Sequence, residues 1–425
     1  MKMKMKKKHT ALRIIAGITA ALVLAGTVYC TFGGFDTGSS ADAAEFAKYS
    51  SDITSMKVPE GTRIVALGEA THGNREFQEL KLDVFRLLVE KYGVRAFALE
   101  GDFGSCEYVD RYIHGEVGGT ARDAAAAIGF AIYRTDEMAA LIEWMRDYND
   151  KAGEKDRLRF YGFDMQRYEY NYRYLISDAK ALGVDVSALE AMWDGDEVAD
   201  GYTNEQRTET ITAVRDALLA CGEEADFAVH HADILLQNIE LGKAYSDPGW
   251  EGTALRDKLM AQNIMWISAQ EEKLGHECIF VSGHNGHIER NGTYNSLDAK
   301  VTGHFLADEL GSGYFAVGTD FYRATVNLPG SQKRITRSFY SWDPVAKAAK
   351  NCGGDMSYLD FSLIPEDSSL RQAVDEWGFM GSLGESYSFI MKLFPYTYRV
   401  WRSPSETYDA AIYVPYAHPT EILPA

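Results

Sequence analysis

Four apolar stretches of this sequence each end on a side chain that can move a proton. Residues 63–68 (RIVALG) run into Gly-Glu-Ala-Thr-His-Gly, which places Glu69 and His72 three apart. Residues 94–100 (VRAFALE) end on Glu100, residues 157–164 (RLRFYGFD) on Asp164, and residues 277–285 (ECIFVSGHN) deliver His284, with His287 three positions on. An imidazole titrates near neutrality, at about pH 6.5, and a neighbouring carboxylate fixes its tautomer and stabilises its cation. His72 is therefore the expected general base, with Glu69 or Glu100 orienting it. It precedes a helix, whose free N–H groups and positive dipole end would assist a developing oxyanion. The plainer alternative is a helix-start residue that bonds its own backbone. Convergence of two carboxylates and three imidazoles on one face argues against it, because such groups are costly to bury unpaired.

His284-x-x-His287 with Glu100 or Glu69 is also a conceivable metal half-site, since imidazole and carboxylate suit zinc. The H-E-x-x-H pattern is absent, however. Ser105 and Ser282 lack a G-x-S-x-G elbow, and no G-x-G-x-x-G occurs, which disfavours a serine nucleophile and a dinucleotide cofactor. Arg75 and Lys81 come after His72 on the same expected helix and could hold a carboxylate or polarise a carbonyl. With Asp164 they complete the expected substrate-binding set, while a solvated helix face is the default for such charges. His230, His231 and His304 read as structural.

The elements that must carry these residues run in the order strand, helix (residues 75–92, closed by Gly93), strand, which implies a right-handed parallel crossover. Further strands are expected at 313–321, 333–340 and 410–414. Open α/β sheets gather ligands beyond the carboxyl ends of their strands, where the acids and histidines fall. Few prolines and several helical patterns mark 105–150 and 167–275 as helical insertions. The chain has 425 residues and a net charge of −19. A charge of that sign disfavours nucleic acid, which needs a basic stripe. The only basic cluster is N-terminal: residues 1–43 carry six Lys and Arg against two Asp, so the remainder carries −23. That cluster precedes an uncharged run at 14–35, which reads as an export signal ending near Ala41-Asp42-Ala43, or as an uncleaved membrane anchor. Tyr29 argues against lipidation of Cys30. Cys106, Cys221, Cys278 and Cys352 have no CxxC spacing.

The blocks Gly68-Glu69-Ala70-Thr71-His72-Gly73 with Arg75-Glu76-Phe77, Phe97-Ala98-Leu99-Glu100, Tyr161-Gly162-Phe163-Asp164, Arg256-Asp257-x-x-Met260-x-x-Asn263 and His284-Asn285-x-His287 resemble the erythromycin esterase family, in the same order. The resemblance runs from about residue 60 to the C-terminus and is weakest after Leu328. It implies a three-layer α/β/α core with a mostly parallel mixed sheet. It also implies hydrolysis of an ester or macrolide lactone by water that His72 activates, without metal or other cofactor. Glu69, Glu100, His284 and His287 match the family's active-site positions. Lys81 stands where the family often has a functional arginine, so a planar fork is lost there. The expectation is thus an exported or membrane-anchored hydrolase, residues 44–425, acting on a small ester or lactone. Its rivals are a metal-dependent hydrolase using Glu100, His284 and His287, and a non-catalytic surface protein with the same cleft that binds or assembles polymers.

Overall fold

The computed structural model describes residues 2–32, 36, 38–246, 249–294, 299–329, 333–384, 387–392 and 394–424. Residues 33–35, the end of the apolar run of the expected export signal, and residue 37 lie outside them. Eight strands form the central sheet: β1 (Ile64–Glu69), β2 (Ala96–Asp102), β3 (Arg159–Asp164), β4 (Ile279–His284), β5 (Tyr314–Pro329), β6 (Arg334–Tyr340), β7 (Ser357–Asp360) and β8 (Ala410–Ala417). Their order is β3-β2-β4-β1-β5-β8-β7, with β6 folded onto β5. All neighbours are parallel except β7 on β8 and the β5–β6 hairpin, so the sheet is mixed and mostly parallel.

Parallel strands buried on both faces read as unbroken apolar runs. Here Val65, Leu67, Phe97, Leu99 and Phe280 point to one side and Ile64, Ala66, Ala96, Ala98 and Val281 to the other. The first side packs under helix Arg75–Tyr92 through Phe77, Leu80, Val84, Phe85 and Leu88; Phe85 stacks on Phe280 at 5.8 Å. The second packs under helix Glu251–Lys273 through Met260, Ile264 and Ile267. Helix, sheet and helix make the three layers. Helix Arg75–Tyr92 stops at Gly93, whose φ of 68° suits a residue without a Cβ. A third core lies among the helices that join β3 to β4, where Tyr172 stacks on Trp193.

Two features depart from the sequence reading. β2 does not pair with β1, because β4 lies between them. That insertion brings the end of β4, with His284, between the ends bearing Glu69 and Glu100. The second is β7, a short antiparallel strand of four residues with no strong apolar run to announce it.

Candidate active site

β1 and β4 pair in register, with Glu69 opposite His284 and Gly68 opposite Gly283. The chain leaves both strands at the same level, so Glu69, His72, His284 and His287 gather on one edge of the sheet. Gly68 is required there: a Cβ on it would come within 2.2 Å of the Asn285 side-chain oxygen. Asn285 in turn ties the loop to β5, donating to the Thr319 carbonyl (2.7 Å) and accepting from the Thr319 N–H (3.2 Å).

Two carboxylate–imidazole pairs face this edge. In the first, His72 Nδ1 lies 2.5 Å from Glu69 Oε1, while the second Glu69 oxygen accepts from Lys81 Nζ (2.6 Å) and Gln78 Nε2 (3.2 Å). Burial disfavours the Glu69 carboxylate, yet Lys81 and His72 outweigh it and hold the group at about 2. Burial also works against the His72 cation, and Glu69 and Glu100 overcome that, raising it above its ordinary value. His72 Nε2 makes no hydrogen bond among the described residues, which leaves it for a ligand. In the second pair, His287 Nδ1 lies 2.8 Å from Asp257 Oδ1. Asp257 is also held by Tyr294 and by the Thr302 N–H and hydroxyl. His287 is raised as well: Asp257 and Glu100 outweigh its burial.

Arg256 links the acids. Its guanidinium donates to Glu100 Oε1 (2.9 Å) and Asp164 Oδ2 (2.7 Å) and approaches His287 Nε2 at 3.2 Å. The other Glu100 oxygen accepts from the His284 backbone N–H at 2.7 Å. Although buried, Glu100 is therefore held well below the ordinary carboxylate range by His287, Arg256, His72 and that N–H. Between the two pairs sits His284, its ring 4.9 Å from that of His72 and 6.3 Å from that of His287. Its Nε2–H donates to the Leu383 carbonyl (3.2 Å) and its Nδ1 accepts from the Gly286 N–H (3.2 Å). Burial, with His72 and His287 on either side, pushes it down to about 3, so it stays neutral.

Residues 89–417 match the erythromycin esterase family model. The chain belongs to the erythromycin esterase family. Among curated relatives, erythromycin esterase type II of Escherichia coli is 24% identical over 357 residues, covering 73% of this chain and 83% of its own length. A solved Bacillus cereus protein superposes with a TM-score of 0.75 at 20% identity, covering 90% of this chain and all of the other. A solved erythromycin esterase, EreC, in an open conformation superposes with a TM-score of 0.57 at 17% identity, over 86% and 93% of the two chains. At these identities the solved structures establish the α/β fold. Glu69 and His72 precede the matched stretch, so their place in this erythromycin esterase family member rests on the geometry above.

Of the residues singled out from the sequence, Glu69, His72, Glu100, Asp164, His284 and His287 come together. Lys81 joins them from beneath, with its amine committed to Glu69 and only 1% of its side chain exposed, so it faces no ligand. Arg75 does not join them: it is half exposed and pairs with Glu76 and Glu79 on the outer helix surface. The start of that helix is covered rather than open, its first N–H donating to the His418 carbonyl. Sequence reasoning assigned no site role to Arg256 and Asp257, although both stood in a recognisable block, and missed the Leu383 carbonyl altogether. The donor set suits a metal poorly, because both nitrogens of His284 are engaged and the Arg256 cation faces His287 Nε2. His230 and His231 are packed structurally, the first stacked on Trp266 at 3.8 Å and the second between Asn171 and Glu107.

Proposed function

We propose that this protein hydrolyses a carboxylic ester or lactone by attack of water under the control of His72. The Glu69–His72 pair, whose Nε2 is left free for a ligand, carries the reading. Glu69 holds the Nδ1–H, so Nε2 presents its lone pair to a water molecule. Water oxygen adds to the carbonyl carbon as Nε2 takes the proton, and the carbonyl electron pair moves to oxygen. Collapse of the tetrahedral intermediate breaks the C–O bond, and the leaving alkoxide takes a proton from an imidazolium. His287, favoured as a cation by Asp257 and Glu100, adds positive charge beside the site, but both its nitrogens are engaged, so the imidazolium that protonates the leaving oxygen is His72. His284 remains neutral between His72 and His287 and keeps them apart. Arg256 holds Glu100 and Asp164 in place.

Family membership supports hydrolysis, and the macrolide lactone is the specific substrate we propose to test first. Full-length protein incubated with erythromycin and a panel of simple esters, followed by mass spectrometry, should show gain of one water that disappears in His72→Ala and persists in a chelator. If the ester panel turns over and erythromycin does not, hydrolysis stands and the macrolide falls. Absence of any hydrolysis across the panel contradicts the reading. The N-terminal basic cluster and apolar helix support export with retention at, or release from, a membrane; fractionation of the host cell tests this.

A further inference from the structure

The helix Lys2–Phe32 contains an 18-residue apolar stretch, Leu12–Tyr29, none of it buried against the body. At 1.5 Å per residue it is about 27 Å long, close to the hydrocarbon thickness of a bilayer. Lysines at its start would keep that end inside the cell and the body outside. The segment after the helix is built onto the body. The Asp36 carboxylate accepts from Lys347 (2.9 Å) and the Tyr322 hydroxyl (3.0 Å), and the Ala41 N–H donates to the Pro344 carbonyl (2.9 Å). Asp42 caps helix Ala43–Tyr49, which buries Phe46 completely. Cleavage after Ala43 would cut this folded segment at its cap.

Asp36 lies four residues beyond Phe32, so its Cα sits within roughly 14 Å of the end of the helix, and its carboxylate holds the Tyr322 hydroxyl. Tyr29, near that end, is close enough to Tyr398 and Arg399 to influence their ionisation. The surface there is unlike the rest of the molecule. Residues 321–352 hold six Lys and Arg against one acid, Asp343, and residues 377–402 hold three against one, Glu385, in a chain of charge −19. Lys347 is paired with Asp36, Arg402 with Glu289, and Arg399 is buried, so the charge of this surface rests on Arg323, Lys333, Arg334, Arg337 and Lys350. Large apolar side chains are exposed on the same segment: Trp377, Ile390, Phe394, Tyr396 and Trp401, each at 50% or more. Phe379 knits this patch, its ring 4.8 Å from Trp401, 5.4 Å from Tyr396 and 5.7 Å from Trp342. Aromatic rings beside cations are the composition of a membrane–water interface, and cations near an anionic leaflet are attracted to it.

We propose that the N-terminal helix is retained as an anchor and that this aromatic, basic face, built from residues 321–352 and 377–402, rests on an anionic lipid bilayer. The face carries positive charge where lipid headgroups are negative, while the remaining, acidic body is repelled. Leu383, whose carbonyl holds His284, belongs to the same segment, so the seated face and one wall of the candidate active site are continuous. Seating on the bilayer is independent of the reaction.

Hydrogen exchange of the full chain in nanodiscs tests it. In phosphatidylglycerol discs, residues 334–340 and 387–402 should exchange about five-fold more slowly than in phosphatidylcholine discs, with helix Asn204–Leu219 unchanged and serving as the folding control. The substitutions Arg337→Glu and Lys350→Glu, or Lys333→Glu at an exposed site, should erase the difference. Equal exchange in both lipids overturns the proposal. So does a slowing that grows with protein concentration, which would mark contact between copies of the chain. A membrane-fraction mass that begins near Ala44 rather than at the N-terminus also overturns it.

Discussion

His72 and His287 share a construction, each with a carboxylate on Nδ1, but their surroundings divide the work. Nε2 of His72 is free, whereas Nε2 of His287 lies 3.2 Å from Arg256 and 3.4 Å from Glu100. His72→Ala should therefore cost about 10²- to 10⁴-fold in kcat, the usual worth of a positioned base. Urea denaturation should also show a loss of stability, because the substitution leaves a cavity beside the buried Glu69. Arg75→Ala, on the outer surface, should leave kcat unchanged in the same assay. Lys81 supports Glu69 from below, and Lys81→Met would leave that carboxylate buried beside His72 without its lysine. Breaking such a buried pair from one side costs about 3–5 kcal/mol, measurable by denaturant unfolding. The lost lysine charge should also raise His72 further. Most of these residues were legible because each closes an apolar run. Arg256 was not: its partner Asp164 lies 92 positions away, and a charged residue on a helix carries no local sign of burial.

Among the elements, the parallel strands were legible because burial on both faces leaves a continuous apolar signature. Their order was not, since nothing local in ECIFVSGH says that β4 slides between β1 and β2. That insertion decides the chemistry, because it sets His284 between the two pairs and aims its backbone N–H at Glu100. The close approach of β1 to the loop after β4 depends on Gly68. Gly68→Ala would drive a Cβ into the Asn285 amide and, by overpacking, should destabilise the fold by about 1–3 kcal/mol. Thermal unfolding checks this, and an unchanged melting temperature would contradict the packing described. β7 and the hairpin of Gly378–Gly381 with Arg399–Arg402 escaped notice because short antiparallel strands lack a long periodic pattern.

At the scale of the whole molecule, a strongly acidic body carries one basic, aromatic face beside an apolar N-terminal helix. The segment after that helix belongs to the fold: Phe46 is fully buried in the core against Tyr413, with ring centroids 5.7 Å apart. Phe46→Ala should cost about 3–5 kcal/mol in a denaturant melt. Composition alone indicated the basic start and the acidic remainder. A second basic stretch, six Lys and Arg against Asp343 at 321–352, stands in the sequence as well, contrary to the reading that the only basic cluster is N-terminal; what the fold adds is its placement beside the aromatic strap after Trp377.

The pH dependence of kcat/KM on an ester that the protein turns over tests the Glu69–His72 base most directly. Because the folded pKa of His72 is raised, the neutral, basic form accumulates only above its ordinary value, and activity should rise with pH through a limb displaced above about 6.5. Glu69→Gln removes the charge that favours the cation, so the limb should move to lower pH while the maximal rate falls. A wild-type limb that stays in place when Glu69 is neutralised would contradict the account.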